Sequence, residues 1–216
     1  VCMTKDRVPV VIHDQTLERT TDGHGLVSEF TLLELKKLDA GSWFSPEFKG
    51  ESLPTLEEIL MQIRGKISVN IEIKPESYES ADPNDAIEKQ ICIMVEKFGM
   101  IESVLISSFE HNYFPRIKLW HRKYKNKTSL RIAPLQEKES SEENILKLCK
   151  GTEAYSFHSD ERFLTPSLIG TLKTNHIRTM AYTINNEKRI EQLSQWGITG
   201  IITDEPEIMW KVLRKL

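Results

Sequence analysis

From residue 67 onward the chain alternates short apolar runs with amphipathic stretches, and this rhythm limits the fold more than any other feature. Strands are expected at 67–74, 103–109, 128–133, 153–158, 178–184 and 199–203. Helices are expected between them near 83–98, 111–125, 141–150, 165–176 and 187–196, with a last one near 205–215. Short strands separated by helices of 10–15 residues imply parallel pairing through helical crossovers. That makes about six strand–helix units, where a closed parallel barrel has eight. An open doubly wound sheet could use six, but its Gly-rich phosphate loop is missing: neither GxGxxG nor GxxxxGK[ST] occurs. A barrel short of its beginning fits better. With neither a repeat nor a Gly/Ser-rich linker, residues 1–216 read as one domain.

The run Val69-Asn70-Ile71-Glu72-Ile73-Lys74 has two faces. Successive strand side chains point to opposite sides, so Val69, Ile71 and Ile73 share one face and Asn70, Glu72 and Lys74 the other. In a barrel the apolar face meets the helices and the polar face turns inward, with the chemistry at the carboxyl ends of the strands. Polar groups recur at those ends: His13-Asp14, Glu72 and Lys74, Ser107-Ser108, His158, Thr183 and Asn185, and Thr203-Asp204. Ser107 reads as a satisfied rim hydroxyl, and Asp204, with Thr203, as the cap of the last helix, with Pro206 in its first turn.

Upstream, residues 8–14 read as a short buried strand ending in His13-Asp14, and Thr20–Gly25 as a turn cluster. Thr31 with Glu34, and Thr55 after Pro54, carry the signature of capped helix starts. His24 sits in an exposed turn, and His111 and His121 on a surface helix. Trp43 and Phe44 either pack their own segment or touch substrate, packing being the preferred reading. The basic run Lys118–Lys127, interleaved with Trp120 and Tyr124, reads as a solvated face rather than a nucleic-acid platform, because the net charge is -3. No apolar run approaches the roughly 18 residues that span a bilayer. The three cysteines form neither a zinc nor a disulfide pattern, and their odd count leans toward a reducing, cytoplasmic setting.

Several stretches together are familiar: Val10–Asp14, Leu17-Glu18-Arg19-Thr20-Thr21, Gly25, Leu35–Gly41, Pro54–Glu58, Asn70–Lys74, Ser107-Ser108-Phe109 and Gly200–Pro206. In this order they resemble the glycerophosphodiester phosphodiesterase family over essentially the whole chain. The resemblance implies an α/β fold of the TIM (β/α)8-type barrel, lacking here its first strand–helix unit, with a small inserted lid over residues 14–55. It implies a divalent cation, Mg2+ or Ca2+, and hydrolysis of glycerophosphodiesters to sn-glycerol 3-phosphate and an alcohol. His13 matches the family's catalytic histidine of the His-Asp pair, Glu72 a metal carboxylate, and Lys74 the lysine facing phosphate. Phe109, His158 and Tyr182 are expected on the substrate side, Tyr182 standing where the family commonly has Trp.

Two elements of the family pattern, His-Arg-Gly and Glu-x-Asp, do not occur in the 216 residues. The chain is therefore expected to be an amino-terminally incomplete member with impaired turnover. The alternative is a non-catalytic barrel relative that binds or scaffolds, which the charges at His13, Glu72 and Lys74 argue against. A Schiff-base aldolase using Lys74 is weaker still, since neighbouring Glu72 would keep the amine protonated. The expected partner is a small glycerophosphodiester, without nucleic acid or a membrane span; the oligomeric state stays open.

Overall fold

The computed structural model describes residues 1–123 and 130–214. Tyr124, Lys125, Lys127 and the start of the strand expected at 128 lie outside the described residues, as does the side chain of His121. The chain divides into two compact units, Val1–Leu130 and Arg131–Leu216.

The first unit opens with two short antiparallel strands, β1 (Cys2–Met3) and β2 (Pro9–Val10). The strand expected over residues 8–14 is thus only two residues long. Pro9 lacks a donor, and Val11 gives its N–H to the Pro54 carbonyl instead of to a strand partner (2.8 Å). An isolated bridge between Val10 and Thr55 completes this tie. Residues 14–55 therefore leave and return at one point. Within them lie α1 (Leu32–Leu35) and a small core in which Leu17, Val27, Leu35 and Leu53 pack with Cys2, Val10 and Ile12. Then come α2 (Leu56–Ile63), β3 (Val69–Glu72), α3 (Ile87–Lys97), β4 (Val104–Ser108) and α4 (Tyr113–Lys123). Strands β3 and β4 are parallel, with Val69 opposite Val104 and Glu72 opposite Ser107.

Both helix starts read from the sequence are capping boxes. Thr31 and Glu34 exchange bonds at α1, and Thr55 and Glu58 do so at α2, where the Thr55 hydroxyl accepts from the Glu58 N–H (3.1 Å). Each box occupies two amide donors that the first turn would otherwise leave unpaired.

The second unit runs β5 (Arg131–Gln136), α5 (Glu142–Thr152), β6 (Ser156–Asp160), α6 (Pro166–Thr174), β7 (Arg178–Tyr182), α7 (Glu187–Gln195), β8 (Gly200–Ile201) and α8 (Pro206–Leu213). Strand β6 pairs in parallel with β5 and β7, and β7 with β8. The expected alternation is present, but β6 starts three residues late, and β5 is described from Arg131 onward. Asp204 does not cap α8. The N-cap is Glu205, without a side-chain bond, because Asn185 Nδ2 donates to the Asp204 carboxylate (2.9 Å) while the Thr203 hydroxyl accepts the Glu205 N–H (2.9 Å). The core of this unit gathers Phe157, Leu168, Ile169, Leu172, Ala181 and Ile190. Phe157 faces that layer, so His158 on the next position turns to the opposite face of β6. Among the described residues, no helix is long and apolar enough to cross a membrane.

Thr55→Ala should destabilise the protein by about 1 kcal/mol through loss of the α2 cap, read as a lower denaturant midpoint with an unchanged slope. His158 gives a pH signature. It is fully buried, its Nε2 lies 3.0 Å from the Ser156 hydroxyl, and burial pushes its pKa down to about 4. The unfolded chain takes up that proton near pH 6.5 and the folded chain only near pH 4. Stability should therefore fall as pH drops across that window, by about 3 kcal/mol at most. His158→Gln should flatten the slope there, as measured by urea unfolding at a series of pH values.

Candidate active site

The site grows out of the end of β3. Ile71 and Ile73 are buried, which turns Glu72 and Lys74 to the other face. Lys74 keeps an extended backbone (φ -72°, ψ 140°) before the Pro75 turn, so the alternation carries past the last strand residue. Three neighbours clamp this backbone. The Ser108 hydroxyl donates to the Ile73 carbonyl (2.7 Å), and the Tyr113 hydroxyl to the Lys74 carbonyl (3.2 Å). The Lys74 N–H donates to the Val1 carbonyl (3.2 Å).

His13 and Asp14 follow β2, and the Cys2 thiol reaches the Asp14 carbonyl (3.7 Å). Five side chains then meet in a row. Arg19 donates from Nε to Asp14 Oδ2 (2.5 Å) and from Nη2 to Asp14 Oδ1 (3.0 Å). Asp14 Oδ1 lies 2.7 Å from His13 Nδ1. His13 Nε2 lies 3.3 Å from Lys74 Nζ, which also donates to Glu72 Oε1 (2.7 Å). The Arg19 guanidinium, and after it His13, hold the Asp14 carboxyl well below the usual carboxylate range. A carboxylate against Nδ1 and an ammonium against Nε2 assign the proton of neutral His13 to Nδ1. Nε2 then keeps its lone pair.

These groups border a cleft of about 540 Å3, lined also by Asn70 and Trp43. His13 is 69% exposed and Lys74 only 12%. The imidazole is therefore open to a ligand, while the ammonium works with little screening by water. Trp43 and Phe44 do not pack inward as expected. They are 52% and 71% exposed, with their rings edge to face (5.7 Å) and the Trp43 N–H given to the Ala40 carbonyl (2.9 Å).

Among the remaining site residues, Phe109 follows β4 directly and is half-buried. His158 and Tyr182 belong to the second unit, where the Tyr182 hydroxyl donates to the Gln136 carbonyl. The satisfied hydroxyl at the end of β4 is that of Ser108. Ser107 Oγ is buried without a hydrogen-bond partner among the described residues, because the serines face opposite sides of the strand. From the sequence Asp14 reads only as the neighbour of His13 at a strand end, and Arg19 is given no role. A bidentate pair across five positions depends on the turn between them, which has no signature of its own.

The implied divalent cation can be tested against these groups. Among the described residues, no three His, Cys, Asp or Glu side chains converge on a point, and one oxygen of Glu72 accepts from Lys74. The described residues therefore do not by themselves form a divalent site.

Comparison with known proteins bears on the family and the fold. Residues 1–208 match the glycerophosphoryl diester phosphodiesterase family. A glycerophosphodiester phosphodiesterase of Caldanaerobacter subterraneus subsp. tengcongensis is 37% identical over all of this chain and 84% of its own length. One from Bacillus subtilis is 31% identical over 97% of this chain and 73% of its own. A phosphodiesterase of Oleispira antarctica, solved with its product sn-glycerol-3-phosphate, superposes with a TM-score of 0.84. That match covers 99% of this chain and 83% of the other at 25% identity, and it carries the α/β alternation into the barrel fold expected from the sequence. The chain belongs to the glycerophosphoryl diester phosphodiesterase family.

Proposed function

We propose that the site binds glycerophosphodiesters and serves their hydrolysis to sn-glycerol 3-phosphate and an alcohol, with His13 moving a proton and Lys74 facing the phosphate. The observation that carries this reading is the contact of Lys74 Nζ with both Glu72 and His13 Nε2 at the edge of one open cleft. Cleavage of the P–O bond to the alcohol needs a proton on the departing oxygen and removes one from the attacking water. An imidazole with a bare Nε2 suits the second transfer, and once protonated it suits the first. Lys74, as a point charge, favours the negative charge that builds on the non-bridging oxygens.

Both transfers need managing, and this chain offers one accessible imidazole for them at the cleft. We read Glu72 as the carboxylate this chain would contribute toward a divalent ion, Mg2+ or Ca2+. Phe109 completes the substrate side in this reading, and residues 14–55 act as the lid. In the absence of His-Arg-Gly and Glu-x-Asp, the 216 residues alone are expected to bind product better than they turn over substrate.

Two measurements follow. Lys74→Met should weaken sn-glycerol 3-phosphate binding by roughly tenfold or more, the loss of a charged contact. Calorimetric titration giving equal affinities for variant and parent would defeat the phosphate-facing role. Glycerophosphocholine hydrolysis by the chain should stay within about tenfold of the His13→Gln background. Robust turnover by the chain would show that the missing segments are not required.

A further inference from the structure

We propose that Arg19 is the positioning residue for His13: by forking onto Asp14 it pins that carboxylate against Nδ1, so that the imidazole presents a bare Nε2 to the cleft. This rests on the reading of His13 as the proton carrier, and it assigns a role that neither strand chemistry nor the His-Asp pair contains.

The geometry supports it from both ends. Two of the guanidinium's nitrogens go to the two oxygens of one carboxylate, Nε to Oδ2 at 2.5 Å and Nη2 to Oδ1 at 3.0 Å. A planar fork on a planar acceptor fixes rotation as well as distance, which a single contact does not. The same Oδ1 that receives Nη2 lies 2.7 Å from His13 Nδ1. Turning the carboxylate to favour the imidazole less would therefore break an arginine bond too. Asp14 is adjacent to His13 in sequence, so without a third party its side chain is free to swing to solvent.

Arg19 in turn sits in a turn that cannot drift. Leu17 is fully buried, and its carbonyl accepts from the Thr21 N–H (3.1 Å) and the Thr21 hydroxyl (2.7 Å). The Glu18 carboxylate accepts from the Gly25 N–H (2.8 Å), and the Leu17 N–H donates to the Gly25 carbonyl (3.1 Å). The residues on both sides of Arg19 are thus anchored while its own side chain reaches out at 55% exposure. On the far side of the ring, Lys74 Nζ at 3.3 Å from Nε2 supports the same tautomer. Arg19, Asp14, Lys74 and, behind it, Glu72 are the charged groups around the imidazole in the cleft.

The test is the tautomer of His13, read by 15N NMR of the full chain, with the resonances assigned by comparison with His13→Gln. The parent should show a protonated Nδ1 and an unprotonated Nε2 when the ring is neutral. Arg19→Met should release Asp14 and populate both tautomers, and Arg19→Gln, which keeps one neutral donor, should lie between. Asp14→Asn should drive the proton to Nε2, because its amide can donate to Nδ1. The affinity for sn-glycerol 3-phosphate should stay within about twofold in the arginine variants, since a positioning residue acts through another group. An unchanged tautomer in Arg19→Met overturns the proposal. So does a tenfold loss of product affinity with the tautomer intact, which would make Arg19 a direct ligand of the anion. Failure of the parent to bind sn-glycerol 3-phosphate, with the tautomer shifting as expected, would instead defeat the phosphodiesterase reading and leave the role of Arg19 standing.

Discussion

One ammonium holds the site together. Lys74 is nearly buried and lies between a carboxylate two residues back and an imidazole sixty-one positions away in sequence. It can do so only because the backbone at Ile73 and Lys74 is fixed by Ser108, Tyr113 and Val1. The register of β3 supplies the rest. A slip by one residue would exchange the faces of β3, taking Ile73 out of the core and putting Glu72 and Lys74 among apolar side chains. The burial of two isoleucines thus decides where the charges go, and the charges decide which nitrogen of His13 is bare.

That first step was legible in the sequence because strand chemistry has a period of two, and Val69–Lys74 carries it without interruption. The capping boxes at Thr31 and Thr55 were legible for a similar reason, since all their partners lie within three residues. What failed were features settled by tertiary competition. Asp204 looks like a cap until Asn185, from the preceding loop, takes its carboxylate. Residues 8–14 look like a strand until the Pro54 carbonyl captures the Val11 N–H. The convergence of His13 with Lys74 has no local signal, and it came from family resemblance rather than from spacing. Arg19 belongs to the same class: a fork onto Asp14 exists only once the turn at Leu17–Thr21 is built.

On the proposed function, residues 14–55 would also serve the chemistry. The segment is tied at its base by Val10, Val11, Pro54 and Thr55 and has a core of its own. Trp43 and Arg19 are among the residues it contributes to the cleft lining, Arg19 being forked onto Asp14. A segment that only covered a site could vary freely in its turns. This one cannot, because moving the Leu17–Thr21 turn moves the guanidinium and with it the carboxylate that orients His13. On the proposed function, cover and proton transfer would be coupled through a single surface turn.

The groups at the cleft form one row: guanidinium, carboxylate, imidazole, ammonium, carboxylate. Both cations in that row already have a carboxylate partner, so on the proposed function an arriving phosphodiester would gain Lys74 only by loosening its bond to Glu72. Substrate anion and Glu72 therefore compete for one ammonium, and the attraction felt by the phosphate is smaller than an unpaired lysine would give. The same competition keeps Lys74 from leaving when the cleft is empty. The ammonium is held close to where the phosphate would enter, at the distance that keeps it on His13 Nε2, and needs no side-chain search when the anion arrives. Weakened ground-state binding and a pre-placed charge are thus two consequences of one salt bridge.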